Sequence, residues 1–173
     1  MRPLNPEPRG FWLPIIIAAV SLLLVPDARP PGAAEIITGD AVVIDGDTLE
    51  IDGRRLGLFN IDAPEPGQSC QNPDGSTYPC GTVATQYLML LIGGRPVTCM
   101  LYDKDRTTGL LGMCSAGEDD LNKTMVLKGW ALVRPQWKYH ADYLGIEAQA
   151  RKQRRGVWRG AFVKPWRWSP GEP

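Results

Sequence analysis

The four cysteines are the side chains whose chemistry the sequence indicates most directly. They are Cys70, Cys80, Cys99 and Cys114; no two form a CxxC pair, and the single histidine, His140, lies beside none of them. Metal sites built on cysteine normally show closer ligand spacing, whereas an even number of cysteines in an exported domain is typical of disulfides. The sequence therefore predicts two disulfide bonds.

Cations and aromatic rings near the C-terminus form a second candidate for chemistry. A predicted helix ends in four cations, Arg151, Lys152, Arg154 and Arg155. Three further cations and three tryptophans follow it: Trp158, Arg159, Lys164, Trp166, Arg167 and Trp168. Cations in the last turn of a helix complement its dipole and usually lie in water. Combined with aromatic rings, they are also typical of surfaces that bind single-stranded nucleic acid or another polyanion. Both interpretations stay open.

The composition is that of one globular domain. The chain has 173 residues, 43% hydrophobic and 22% charged, which excludes collagen-like, disordered and polytopic membrane proteins. The 19 basic and 19 acidic residues are unevenly distributed, with +1 over residues 1–34, −8 over 35–127 and +7 over 128–173. Net charge alone thus predicts no nucleic-acid partner, although the basic end can supply a local patch.

The first 34 residues are interpreted as a targeting segment. Arg2 and Arg9 precede an apolar run of about 15 residues from Phe11 to Val25, which is shorter than the roughly 20 residues of a membrane-spanning helix. This favours a secretory signal peptide; the alternative is an uncleaved membrane anchor with a Pro-rich stalk. Both place the domain outside the cytoplasm, in the periplasm or the extracellular space, with membrane contact only through an uncleaved segment.

Hydrophobic patterns and turn residues predict strands first and helices later. The expected strands are 36–44, 48–51, 55–61, 97–102 and 110–115, and the expected helices are 82–92, 121–128 and 143–155. Asp52-Gly53 is a strong hairpin turn between the second and third strands. Five strands with a helix between the third and fourth predict an α+β, mainly β fold: a five-stranded Greek-key barrel of the OB type with about three helices.

The predicted elements also pair the cysteines. If the last two strands form a hairpin centred between Arg106 and Thr107, Cys99 lies directly opposite Cys114. The other two cysteines lie in an irregular Pro- and Gly-rich loop over residues 64–81, where a bond between Cys70 and Cys80 would restrain the loop.

Five segments resemble the thermonuclease, or staphylococcal-nuclease-like, family in both order and spacing. They are VIDGDTLEI (43–51), LGLFNIDAPE (56–65), DRTTGLLGMC (105–114), LNKTMVLKGWALV (121–133) and EAQARKQRRGVW (147–158). Each segment alone is weak evidence, but together they cover nearly the whole exported chain. The resemblance implies a nuclease-like domain over residues 35–160, followed by a basic, Trp- and Pro-rich tail over 161–173.

The resemblance also implies a calcium site and a substrate class. Asp47 and Asp62 match the metal-binding carboxylates of the family, and the carbonyl of Ala63 matches a further oxygen ligand. Asp45 matches a supporting carboxylate, and Glu65 matches the glutamate that orients the water attacking a nucleic-acid phosphodiester. This donor set suits a hard cation, which prefers carboxylate, carbonyl and water oxygens.

Two departures from the family concern its arginines. The family has one arginine five residues before the aspartate that matches Asp62, where this chain has Gly57, and another in the later hairpin, where it has Gly109. Losing one preorganised donor to a developing negative charge lowers the rate by a factor on the order of 10²–10³. Arg55 and Arg106 are tentative replacements, since each lies within three residues of a missing arginine.

The sequence leaves three functional hypotheses. The favoured one is an exported thermonuclease-family protein with strongly reduced or absent nuclease activity and a calcium site that is functional or vestigial. The second is an active calcium-dependent endonuclease that uses Arg55 and Arg106. The third is a module that binds a polyanion, such as nucleic acid, or a protein partner.

Overall fold

The computed structural model describes residues 34–105, 109–135 and 141–171. Residues 1–33 of the predicted leader, Arg106 and His140 lie outside the described residues. Within those ranges no helix is both long and apolar enough to cross a membrane.

The main sheet closes on itself as a barrel. Its strands are β1 (Ile36–Gly39), β2 (Ala41–Val43), β3 (Thr48–Ile51), β4 (Arg54–Leu58), β8 (Val97–Asp105), β9 (Gly109–Ala116) and β10 (Asp119–Asp120). The strand order is β1-β8-β9-β4-β3-β2, with β10 on β9. Because β1 and β2 follow each other in the chain but lie at opposite ends of this order, the sheet must curl. The predicted OB-type barrel is confirmed.

Two small sheets complete the strand set. One pairs β5 (Ile61–Asp62) with β11 (Leu132–Val133), and the other pairs β6 (Cys70–Gln71) with β7 (Thr77–Tyr78). The predicted hairpin between β3 and β4 is confirmed, with positive φ of 50° at Asp52 and 70° at Gly53. Such a turn matches the right-handed twist of the two strands that it joins.

Three α-helices lie among the described residues: α1 (Cys80–Ile92), α2 (Leu121–Leu127) and α3 (Ala141–Lys152). Helix α1 buries Ala84, Leu88 and Ile92 in the barrel core. It begins two residues before the predicted Thr82, and α3 ends three residues before the predicted Arg155. The last turn of α3 cannot continue, because Arg154 has a positive φ of 51°.

Both predicted disulfides are confirmed. The Cα atoms are 4.1 Å apart in Cys99–Cys114 and 5.5 Å apart in Cys70–Cys80. Cys99 lies opposite Cys114 in the register of β8 and β9, as expected. From Val97 to Leu101 the register is centred between Arg106 and Thr107, as predicted, but it shifts by one residue between Leu101 and Asp103, and Asp105 then pairs with Gly109. The cysteines lie on the far side of this bulge from the turn, so their pairing is unaffected.

The residues expected to form the tail pack against the loop over residues 64–81. Gln68, which is fully buried, donates from Nε2 to the carbonyl of Val163 at 2.7 Å, and the Gln71 amide donates to the carbonyl of Ala161 at 2.8 Å. The segment ends near a 3₁₀ helix, Pro165–Arg167. This contact holds the loop that carries Glu65.

Candidate active site

One cavity brings the two acidic motifs together. It has a volume of about 140 Å³, and its walls include Asp45, Asp47, Arg55, Asp62, Glu65 and Arg134. The first motif follows β2, and the second lies at β5 and in the loop after it. The β3–β4 hairpin, which lies between the two motifs in the chain, brings them together, and the pairing of β5 with β11 adds Arg134 from far along the chain.

Backbone hydrogen bonds hold the first motif in place. Asp47 accepts the Ala63 amide at Oδ2 with a distance of 2.6 Å, and its own amide donates to Asp45 Oδ1 at 3.1 Å. The carbonyl of Asp47 accepts the Leu58 amide at 2.7 Å. Between the two aspartates, a Cβ on Gly46 would lie 2.7 Å from the Cβ of Ala63. Only glycine permits this close approach of the two motifs.

The cavity carboxylates raise one another's proton affinity. Burial raises the pKa of Asp47 well above its usual range, and the neighbouring charges of Asp45 and Asp62 raise it further. Burial also raises the pKa of Asp62, against the lowering effect of Arg134. The pKa of Glu65 is raised by burial and, to a smaller extent, by repulsion from Asp45 and Asp62. A site that crowds carboxylates in this way favours a bound cation.

Asp62 forms an ion pair inside the cavity. Its side chain is 8% exposed, and its Oδ2 lies 3.2 Å from Nε of Arg134. The two residues lie on β5 and just after β11, which pair in the register Leu132 with Asp62 and Val133 with Ile61. The pairing of these short strands therefore positions the arginine beside the carboxylate.

Glu65 lies beyond the buried motif, on the exposed loop. Its amide donates to Gln68 Oε1 at 3.3 Å, and its carbonyl accepts the Gln68 amide at 2.8 Å. The glutamate side chain is therefore at the cavity mouth, where water has access, while its backbone is fixed by a buried residue.

The donor chemistry of the cavity fits calcium. No three Asp, Glu, His or Cys side chains within the described ranges are grouped closely enough to hold one ion together. Of the expected ligands, Asp47 and Asp62 line the cavity and could offer carboxylate oxygens to an ion, whereas Ala63 is not among the lining residues. Four carboxylates and two guanidinium groups leave the cavity wall with a formal charge of −2, which one divalent cation would cancel.

The two glycines at expected arginine positions lie on paired strands. Gly57, on β4, lines the cavity and pairs with Leu111 of β9. Gly109, at the start of β9, has a positive φ of 83°, and a Cβ there would lie 3.8 Å from the Arg55 carbonyl oxygen. Arg55 itself is 59% exposed, with Nη2 3.8 Å from Asp45 Oδ2. Arg106, the other tentative replacement, lies outside the described residues.

Sequence reasoning missed two cavity residues. Arg134 directly follows the LNKTMVLKGWALV segment and precedes a proline, and this position at the end of a buried strand was its only signal. Asn60 lies between β4 and β5 with a positive φ of 72°. Its side chain is buried, and neither amide atom has a hydrogen-bond partner within the described part of the chain. Left-handed backbone and unsatisfied buried groups both cost free energy and are concentrated at functional sites.

The C-terminal cations contact aromatic rings of the protein itself. The guanidinium carbon of Arg151 lies 4.4 Å from the ring centre of Trp158, and that of Arg159 lies 3.9 Å from the ring centre of Tyr78. Lys164 lies 5.4 Å from the ring of Trp166. These ring faces are therefore partly covered, which weakens the expectation that they stack on nucleic-acid bases.

Known proteins resemble this chain over most of its length. A family model described as staphylococcal nuclease homologue matches residues 55–160. The succinoglycan biosynthesis protein ExoI of Rhizobium meliloti (strain 1021) is 37% identical over 145 residues, which cover 80% of this chain and 72% of that protein. An uncharacterized endonuclease of Escherichia coli O157:H7 is 35% identical over 116 residues, 66% of this chain and 69% of that protein. The probable staphylococcal-like nuclease CAN1 of Oryza sativa subsp. japonica is 28% identical over 115 residues, 66% of this chain but 32% of that protein.

Proposed function

Because the chain belongs to the staphylococcal nuclease homologue family, we propose that it is an exported, calcium-dependent phosphodiesterase that cleaves nucleic acid slowly. The observation that carries this proposal is the shared cavity of Asp47, Asp62 and Glu65. Family membership supports a nuclease-related function, and the cavity supports its assignment to these side chains.

Asp47 and Asp62 would hold the calcium ion together with the carbonyl of Ala63. When bound, calcium supplies positive charge that stabilises the developing negative charge on the phosphate. Glu65 lies at the cavity mouth, orients the attacking water and accepts its proton.

The proposed rate is low because Gly57 and Gly109 provide no guanidinium group. Each missing donor to the phosphate lowers the rate by a factor on the order of 10²–10³. Export is proposed from the apolar N-terminal segment and is supported by the two disulfides, which form and persist in oxidising compartments.

Digestion of single-stranded DNA and RNA by the purified protein tests this function. We expect slow cleavage in calcium, none in EDTA, and none for Asp47→Asn, which keeps the shape of the side chain but removes its charge. Asp40→Asn is the matched control, because Asp40 lines a different cavity. Absence of wild-type cleavage, or equal cleavage by Asp47→Asn, would overturn the proposal.

A further inference from the structure

Arg134 is the more enclosed of the two cations that line the cavity. Its side chain is 29% exposed, compared with 59% for Arg55. Its ion pair is also the shorter one, at 3.2 Å to Asp62 against 3.8 Å between Arg55 and Asp45. A charge that is partly withdrawn from water interacts more strongly with an anion than an exposed one does.

The backbone of Arg134 is fixed on both sides. Its amide donates to the carbonyl of Asn60 at 3.0 Å, which extends the pairing of β11 with β5 by one residue. The preceding amide, of Val133, donates to Glu147 Oε1 of α3 at 2.9 Å. Pro135 follows and restricts Arg134 to extended conformations. The arginine therefore projects from a rigid support, as preorganised binding requires.

The ion pair with Asp62 leaves part of the guanidinium available. Nε of Arg134 donates a hydrogen bond to Asp62 Oδ2. The two terminal nitrogens, Nη1 and Nη2, have no hydrogen-bond partner among the described residues. Two parallel N–H groups on adjacent nitrogens match the spacing of two phosphate oxygens. The carboxylate thus orients a side chain that lines the cavity and keeps its two terminal nitrogens available as donors.

We propose that Arg134 is a catalytic residue that binds the scissile phosphate group through Nη1 and Nη2. From its position just after β11, it replaces a guanidinium that the family pattern leads one to expect at Gly57 or Gly109. The inference rests on the proposed function, because it assigns the phosphate contact of that same site.

Binding and cleavage by Arg134→Gln test the inference. The binding probe is a fluorescent single-stranded DNA with phosphorothioate linkages, followed by anisotropy in calcium over a series of salt concentrations. We expect roughly tenfold weaker binding, since a hydrogen bond to a charged group is lost, and a salt slope lower by about 0.7, as for one phosphate contact on a single strand. Single-turnover cleavage of ordinary DNA should fall by a factor on the order of 10².

The matched control is Arg95→Gln. Arg95 forms an exposed ion pair with Asp119 at 2.8 Å, outside the cavity lining, so its loss should change neither the salt slope nor the cleavage rate. If Arg134→Gln fails to fold, the double variant Asp62→Asn/Arg134→Gln takes its place, because removing both partners of the ion pair avoids an unpaired buried charge. The binding assay then compares this double variant with Asp62→Asn alone.

The outcomes separate the inference from the proposed function. A folded Arg134→Gln with wild-type affinity, salt slope and cleavage rate overturns the role of Arg134 and leaves the proposed function intact. A wild-type protein that binds DNA but does not cut it overturns the proposed function, while a reduced salt slope in Arg134→Gln still supports the phosphate contact. A wild-type protein that binds no DNA overturns both.

Discussion

An arginine introduced at position 57 should convert the proposed slow phosphodiesterase into a faster one. Gly57 pairs with Thr48, the neighbour of the proposed metal ligand Asp47, whereas Arg55 pairs with Glu50, farther along the hairpin. Residues two apart in a strand share a face, so Gly57→Arg places a second guanidinium on the side of β4 that carries Arg55, but closer to the carboxylates.

The size of the effect follows from this displacement. Two residues along a strand span about 6–7 Å. At an effective dielectric constant of about 20, two unit charges interact by about 4 kcal/mol at about 4 Å and by about 1.6 kcal/mol when they are about 6.5 Å farther apart. Because Arg55 stays in place at the more distant position, Gly57→Arg adds the nearer interaction in full, about 4 kcal/mol of transition-state stabilisation, which corresponds to about a thousandfold in rate.

Single-turnover cleavage of single-stranded DNA in saturating calcium measures this gain. Gly57→Gln is the matched control, because it adds a polar side chain of similar reach without the charge. Circular dichroism and the melting temperature check that each variant is folded. Gly109→Arg is a less informative change, since the φ of 83° would strain an arginine backbone by about 1–3 kcal/mol.

A folded Gly57→Arg that retains the calcium-dependent rise in melting temperature but cuts no faster than wild type would refute this reasoning. An equal gain in Gly57→Gln would show that the added side chain acts without its charge. Either result would mean that the missing guanidinium does not limit the rate.

Three further predictions concern the stability of the barrel. Asp47→Asn should raise the melting temperature in EDTA by about a few degrees and abolish the rise caused by calcium, because it removes a buried charge that the metal compensates. Asn122→Ala should lower the free energy of unfolding by about 3 kcal/mol in urea, since the fully buried amide makes three hydrogen bonds to backbone groups, whereas exposed Lys123→Ala should have little effect. Cys99→Ala/Cys114→Ala should cost about 3 kcal/mol, from the loop entropy of a separation of 15 residues; a loss below about 1 kcal/mol would contradict that estimate.

The sequence by itself determined the features that depend on neighbouring residues. Asp52-Gly53 defines the β3–β4 hairpin, because two residues with positive φ are required there. Alternating and apolar runs predicted β3 to the residue and placed β4, β8 and β9. The single strand expected over 36–44 is wrong, because the chain forms two strands there, β1 and β2, which lie at opposite ends of the sheet. The pairing of Cys99 with Cys114 was also predictable, because both lie on one hairpin whose register is nearly symmetric about its turn.

The resemblance to the family added roles that no local pattern carries. It predicted calcium binding at Asp47 and Asp62 and a water-orienting role for Glu65, and these roles stay predictions. Asp-Gly-Asp or Asp-Ala-Pro-Glu alone describes a turn with solvated acids equally well. What the structure adds is that both segments line one cavity together with Arg134.

Only the tertiary structure decided which distant side chains meet. Arg134 and Asp62 are 72 residues apart, and the Asn122 amide reaches the carbonyl of Phe59 across 63 residues. Strand periodicity indicates which face of a strand is buried, but it carries no information on the strand that will pair with it. The pairing of β5 with β11 arises when the barrel closes and α2 and α3 pack on it, and for this reason the arginine beside the proposed metal ligand was not predicted from the sequence.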